Sequence, residues 1–354
     1  MAPLEWGLGH ATRCIPIIHQ LIMAGSEVLV AAEGGTEVLL KKEFPQLNFL
    51  PLIGYRVMYS RERRNLGFML FLQLPKVIIT IFREHQWLKK AVRDFNIDAV
   101  ISDNRFGLFN KKIPSIYITH QLFIKTYGRV TERLAQIMHY AFIRKYAECW
   151  VPDLNENGLA GILSHPRLLP PVTKYIGPVS RFSKSDQTEI LYDLMVTISG
   201  PEPQREIFEK MILMQLKEYN GRVLIVRGVV NEGEVVRYYQ NNRQITIVDH
   251  LSANEMNTAL LQSDLVISRS GYTTIMDLVK LHKKAIFVPT PGQPEQEYLA
   301  KYLMEKQMFY SISQELFDLE NVLKKAKDFP YNIPSINMEQ YKSVINNFVF
   351  NLNQ

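Results

Sequence analysis

Only two cysteines occur in 354 residues, Cys14 and Cys149, and no spacing pattern surrounds them. That excludes a disulfide framework and a cysteine-built metal site, and makes a reducing compartment the expectation. Nor does any stretch offer the roughly 20 apolar residues that cross a bilayer. The most apolar one, Leu66–Phe82 (LGFMLFLQLPKVIITIF), is interrupted by Gln73, Pro75 and Lys76. Met1–Gly9 lacks a basic start followed by an apolar run, so no secretory leader is expected and the cytoplasm is the expected location. Internal repeats and low-complexity arrays are missing too, which excludes solenoid and fibrous architectures.

What is present is a globular composition, 47% hydrophobic and 21% charged, and a length that suits two domains. The net charge of +6 is uneven. Residues 1–182 hold 23 Lys+Arg against 14 Asp+Glu, or +9; residues 183–354 hold 18 against 21, or −3. A basic first half points either to a solvated basic face or to an anionic partner or membrane surface. Arg61, Arg63 and Arg64 precede the apolar segment, and Arg83, Lys89 and Lys90 follow it. This flanking suits an interfacial, membrane-facing segment as well as it suits a core helix.

Short apolar runs alternate with helical patterns. Glu27–Ala32, Ala99–Ser102 and Ser115–Thr119 read as buried strands, with helical spacing in Cys14–Met23 and Ala91–Phe95. Ala2-Pro3-Leu4 reads as the tail of a first strand that is either short or begins upstream. Pro170-Pro171 and Gly177–Gln187 break the rhythm, which sets the expected boundary between domains 1–182 and 183–354. Strands are then expected at Leu194–Ser199, Arg222–Val226, Gln244–Val248, Leu265–Ser268 and Ala285–Pro289, with a capping box at Ser252–Glu255 and a last helix over Tyr341–Phe350. That helix could pack back on the first domain. Two tandem α/β domains with parallel sheets would place a ligand cleft at the C-terminal strand ends.

Three strand-to-helix turns in the second half carry ligand-type chemistry. Gly200-Pro201 permits close backbone approach and exposes N–H groups to a phosphate, although such turns are common. Ser268–Asp277 (SRSGYTTIMD) brings Arg269, hydroxyls from Ser270, Thr273 and Thr274, close approach at Gly271, and a carboxylate, Asp277, placed to accept two ribose hydroxyls. A capped helix with a favoured early acid is the plainer reading of Asp277. Pro289–Tyr298 (PTPGQPEQEY) sets Glu295 beside Gln296, a carboxylate and an amide suited to sugar hydroxyls.

The order Ser-x-Ser-Gly…Asp, then Val-Pro…Glu-Gln…Tyr-Leu-Ala, resembles the C-terminal domain of glycosyltransferase family 28 over roughly residues 4–310, most specifically 265–300. The family includes the bacterial peptidoglycan N-acetylglucosaminyltransferase. The resemblance implies the GT-B fold, two Rossmann-like domains facing a cleft, and no metal or other cofactor. It also implies that Gly200, Ser270 and Gly271 hold a diphosphate, Asp277 the ribose, Glu295 and Gln296 the sugar, and the backbone at Leu251 the uracil. The peptidoglycan enzyme has Glu at the ribose position and Gln-Gln at the sugar position, which leaves the sugar open.

In the first half, Gly7-Leu-Gly-His-Ala-Thr-Arg13 follows the residual strand and opens a helix. Gly9 permits close approach of an acceptor, and His10 could take a proton from an attacking hydroxyl. The resemblance implies that His10 is either that base or a contact to an acceptor phosphate. It also implies that Asp103, at a strand end, orients His10; the alternative for Asp103 is a helix cap or turn. His120 and Gln121 follow the Ser115–Thr119 strand and are expected beside the acceptor. The expected activity is transfer of a hexosyl or N-acetylhexosaminyl group from a UDP-sugar to a hydroxyl, lipid-linked or saccharide, with inversion, and no nucleic acid is expected as a partner. A UDP-sugar hydrolase or epimerase and a non-catalytic sensor are the alternatives.

Overall fold

The computed structural model describes residues 1–5, 7–56, 66–185, 188–200, 202–229, 238–239, 245–352 and 354, with side chains undescribed at 66–72, 74, 238 and 239. These divide into two compact units. The first takes residues 1–56, 67–179 and 337–354, and the second 180–336.

The first unit runs β1 (Ala2–Pro3), α1 (Leu8–Met23), β2 (Leu29–Ala32), α2 (Gly34–Glu43), β3 (Asn48–Pro51), α3 (Leu66–Asp94), β4 (Val100–Asp103), β5 (Ser115–Ile118), α4 (Arg129–Ile143), β6 (Glu148–Val151) and β7 (Thr173–Tyr175). Five parallel strands lie in the order β1-β4-β5-β6-β7, and β2 pairs with β3. The Ala31 N–H donates to Met1 O at 2.9 Å, which sets β2 beside β1. β1 pairs with β4 through Ala2 and Pro3. Ile15, Ile17 and Ile18 of α1 pack on Val30, Ile101, Ile118 and Trp150.

The second unit runs β8 (Tyr192–Thr197), α5 (Gln204–Gln215), β9 (Val223–Val226), β10 (Tyr238–Tyr239), β11 (Ile245–Val248), α6 (Ala253–Leu261), β12 (Ser263–Ser268), α7 (Tyr272–Leu281), β13 (Lys284–Phe287), α8 (Pro294–Glu305), β14 (Tyr310–Ser311) and α9 (Leu319–Lys327). Its sheet order is β10-β11-β9-β8-β12-β13-β14, parallel except for β10. All-apolar stretches such as Val223–Val226 are buried on both faces, as a helix-covered parallel sheet requires. The Ser252 capping box opens α6 with both of its hydrogen bonds made.

The last helix, α10 (Gln340–Leu352), belongs to the first unit. Tyr341, Val344 and Ile345 enter the α1 core, Phe348 meets Trp150 edge-on at 5.4 Å, and Gln20 donates to Asn346 at 2.7 Å.

The apolar segment is the start of α3. Thr80, Glu84, Leu88 and Ala91 form its buried stripe, while Ile78, Ile79 and Phe82 are exposed. The core and interfacial readings of the segment rest largely on residues 66–72 and 74, whose side chains lie outside the described residues. Arg61, Arg63 and Arg64 lie outside the described residues.

Candidate active site

In the first unit, α1, β4 and β5 bring four polar side chains together. β4 lies between β1 and β5, so the β1–α1 turn, the end of β4 and the residues after β5 meet at adjacent C-terminal strand ends. Gly7, at φ +77°, makes the turn into α1; a side chain there would be strained. Gly9 is exposed in the first helical turn, and His10 follows with its side chain 15% exposed.

Asp103 is fully buried at the last position of β4, 3.3 Å from His10 Nδ1. The expected pair is thus in place, but a third residue shares it. Arg13, one turn further along α1, donates Nε–H to Asp103 Oδ2 at 2.8 Å, and its Nη2 bonds Asp103 Oδ1. The same Nη2 lies 2.9 Å from His10 Nδ1, and Nη1 lies 3.1 Å from Nδ1 of the buried His120. Burial alone would raise the Asp103 pKa, but Arg13 and then His10 hold it well below the usual carboxylate range. Burial and then the Arg13 charge push His10 below its ordinary value. Cys14 Sγ completes the ring around Asp103 at 3.4 Å, its thiol raised far above the usual range by burial. Gln121 is half-buried, and its N–H donates to Thr119 Oγ1 at 3.1 Å. Arg13 is the residue that sequence reasoning passed over; its place three residues after His10 on a helix was the available signal.

A second feature unread in the sequence is the carboxyl pair Glu5 and Glu33, which follow β1 and β2. Burial and the Glu33 carboxylate push Glu5 up to about 7, while Arg56 and the Gly54 N–H keep Glu33 low.

In the second unit the three expected turns follow β8, β12 and β13, which are neighbours in the sheet. Gly200 has φ +110° with open space where a side chain would start, so the backbone conformation and not crowding demands glycine. Pro201 lies outside the described residues. Gly271 is the N-cap of α7, and Thr273 and Thr274 are half-buried in its first turn. Pro294 opens α8, with Glu295 half-buried beside it. Leu251 is half-buried after β11.

Four donor-side side chains, those of Arg269, Ser270, Asp277 and Gln296, make contacts within the unit. Arg269 does not reach out to a phosphate. It is buried, donating to the carbonyls of Gln204, Val288 and Pro289 and to Gln314 Oε1, with its guanidinium 4.0 Å from the Phe208 ring centre. Burial without an acid beside it lowers its pKa to about 9. It therefore clamps the ends of β12 and β13 to the start of α5. Gln296 turns inward as well: Oε1 accepts the Thr290 N–H at 2.9 Å and Nε2 donates to Gln293 at 2.7 Å. Its carbonyl accepts the Ser270 hydroxyl at 2.8 Å, so Ser270 ties the α7 turn to α8. Both side chains shape the loops that present Glu295 and the backbone N–H groups. Asp277 is buried, with Oδ1 accepting the Ser180 hydroxyl at 2.5 Å. Burial raises its pKa to about 6, against the opposing charge of Arg181.

Residues 202–348 match the glycosyltransferase family 28 C-terminal domain. The chain is a glycosyltransferase with the GT-B fold, and its likeness to family 28 lies in residues 202–348. This glycosyltransferase is 24% identical over 351 residues to an uncharacterized glycosyltransferase of Methanosarcina acetivorans, covering 92% of this chain and 89% of the relative. It is 23% identical over 261 residues to a Sulfurihydrogenibium UDP-N-acetylglucosamine–N-acetylmuramyl-(pentapeptide) pyrophosphoryl-undecaprenol N-acetylglucosamine transferase, covering 72% and 69%. Among solved structures, the spinosyn rhamnosyltransferase SpnG complexed with thymidine diphosphate superposes with a TM-score of 0.59 at 13% identity, covering 99% of this chain and 95% of that one.

Proposed function

We propose that this glycosyltransferase moves a hexosyl or N-acetylhexosaminyl group from a UDP-sugar to a hydroxyl of a lipid-linked acceptor, with inversion and without a metal ion. The observation that carries the reading is the convergence of the Gly200, Gly271 and Pro294 turns on the adjacent strands β8, β12 and β13. The positive ends of the α7 and α8 helix dipoles, with Arg269 beneath, suit a diphosphate, and this fixed field stabilises it as it leaves. Asp277 Oδ2 holds the ribose, Glu295 the sugar, and the backbone at Leu251 the base. The solved relative with bound thymidine diphosphate and the UDP-N-acetylglucosamine-using relative support a nucleotide-sugar donor.

The acceptor oxygen bonds to the anomeric carbon as the bond to the diphosphate breaks, and that electron pair leaves with UDP. The acceptor's proton passes to His10 or to a water molecule beside it. Gly9, His120 and Gln121 line the acceptor side.

A lipid-linked acceptor at the inner face of an anionic membrane is supported by two helices. Ile78, Ile79 and Phe82 of α3 are exposed ahead of Arg83. Val130, Leu134, Ile137 and Met138 form an exposed apolar stripe on α4 beside Arg129 and Arg133. Apolar residues edged by arginine suit an interfacial surface. Among the described residues no helix is long and apolar enough to cross a membrane.

Thermal-shift screening against UDP-, GDP- and dTDP-sugars tests the donor, since binding stabilises the fold according to its affinity. A shift with UDP-sugars is expected, and none with any nucleotide sugar would sink the reading. Rapid UDP release without acceptor would instead favour the hydrolase.

A further inference from the structure

The residue that controls His10 is Arg13. Arginine only donates hydrogen bonds and stays charged at any ordinary pH. A histidine ring nitrogen that faces an arginine N–H at bonding distance must therefore be bare. Nη2 of Arg13 meets His10 Nδ1 at 2.9 Å, and Nη1 meets His120 Nδ1 at 3.1 Å, while Nε and Nη2 also bond the two oxygens of Asp103. With both Nδ1 atoms bare, each of these N–H groups finds an acceptor. The competing arrangement gives His10 Nδ1 a proton directed at Asp103 Oδ1 across 3.3 Å. It sets two hydrogens against each other between Nδ1 and Nη2, and asks an already bonded carboxylate oxygen for a longer bond.

We propose that Arg13 is a positioning residue that fixes neutral His10 as the Nε2–H tautomer, so that His10 meets the acceptor as a hydrogen-bond donor and not as a base. A neutral imidazole has one N–H, and the partner of one nitrogen decides where it sits. In the more familiar arrangement a carboxylate holds Nδ1–H and leaves the Nε2 lone pair free to take a proton. Here the carboxylate is neutralised by Arg13, whose charge also opposes formation of an imidazolium. What Nε2–H meets rests on the transferase reading: it donates to an oxygen of the acceptor, and the proton of the attacking hydroxyl goes to water. The tautomer itself does not depend on that reading.

The test is long-range 15N–1H NMR of the full chain labelled in histidine, with the His10 signals identified by their loss in His10→Gln. The expected spectrum has a bare Nδ1 and a protonated Nε2; a protonated Nδ1 at neutral pH would overturn the proposal. In Arg13→Gln, if it folds, the proton should move to Nδ1 and the His10 titration should move up. An unchanged tautomer there would assign the control elsewhere. Turnover gives a separate readout. His10→Gln, which keeps a donor, should stay within about tenfold of wild type, while His10→Ala loses on the order of 10²-fold. Equal losses in the two would make His10 a base. If no transfer is found with any UDP-sugar, the function fails while the NMR result still decides the tautomer.

Discussion

Arg13 bonds both carboxylate oxygens of Asp103 from one turn beyond His10 on the same helix. Both groups are buried, so each depends on the other for its charge to be tolerated. Removing one partner of such a pair typically costs about 3–5 kcal/mol, because the other is left buried and unpaired. Asp103→Asn should therefore lower unfolding stability in urea by that order. Joining it to Arg13→Met should recover part of the loss. Additive losses in this double-mutant cycle would show that the pair is not the stabilising unit.

Arg269 fastens three loops through carbonyl oxygens. Arg269→Met should cost roughly 2–4 kcal/mol through several unmade buried hydrogen bonds, yet change the UDP affinity of the folded protein only a few-fold. Denaturant melts and calorimetric titration separate the two effects. A hundredfold affinity loss at unchanged stability would return Arg269 to direct phosphate contact.

Asp277 titrates near 6 in the folded protein against an ordinary value of 3.8, chiefly through burial. A raised acid binds its proton more tightly folded than unfolded. Its contribution to stability is therefore fully present below about 4 and is lost as pH rises to about 6, amounting to roughly 3 kcal/mol. Asp277→Asn should remove this fall from the pH–stability curve. If the carboxylate holds the ribose, UDP affinity of the wild type should instead climb as pH passes 6, and the asparagine variant should bind weakly at every pH. A flat affinity profile would remove the ribose role.

On α4, Leu134→Glu with Ile137→Glu replaces exposed residues and should leave the melting temperature within a degree or two. Co-sedimentation with vesicles rich in anionic lipid should drop severalfold. Equal sedimentation would argue against this helix as the contact.

The central strands were legible because runs such as Leu265–Ser268 and Ser115–Ile118 are apolar, short and bounded by turn residues. The edge strands were not. β7 is three half-buried residues, and β6 (ECWV) begins with a charge and merges with the preceding helical pattern. At the site, the His10–Asp103 pair was expected only through the family resemblance; it forms because Asp103 ends β4, which pairs with β1, the strand whose turn leads to His10. The partners of Arg13, Arg269 and Gln296 were harder to read. A charged or amide side chain beside a glycine turn looks like a ligand contact or a solvated face until its partners are seen. Those partners lie up to 107 residues away for Arg13 and 65 for Arg269. Ser180 escaped notice in the same way, since its partner Asp277 is 97 residues distant.

The return of α10 to the first unit sets a rule for dissecting this enzyme. A fragment cut at Val179 would strip Phe348 from Trp150 and uncover Ile15 and Ile18, so its exposed core would invite aggregation during expression. The piece to clone for isolated study of the His10 centre is a chimera, with residues 337–354 rejoined behind residue 179 through a flexible tether.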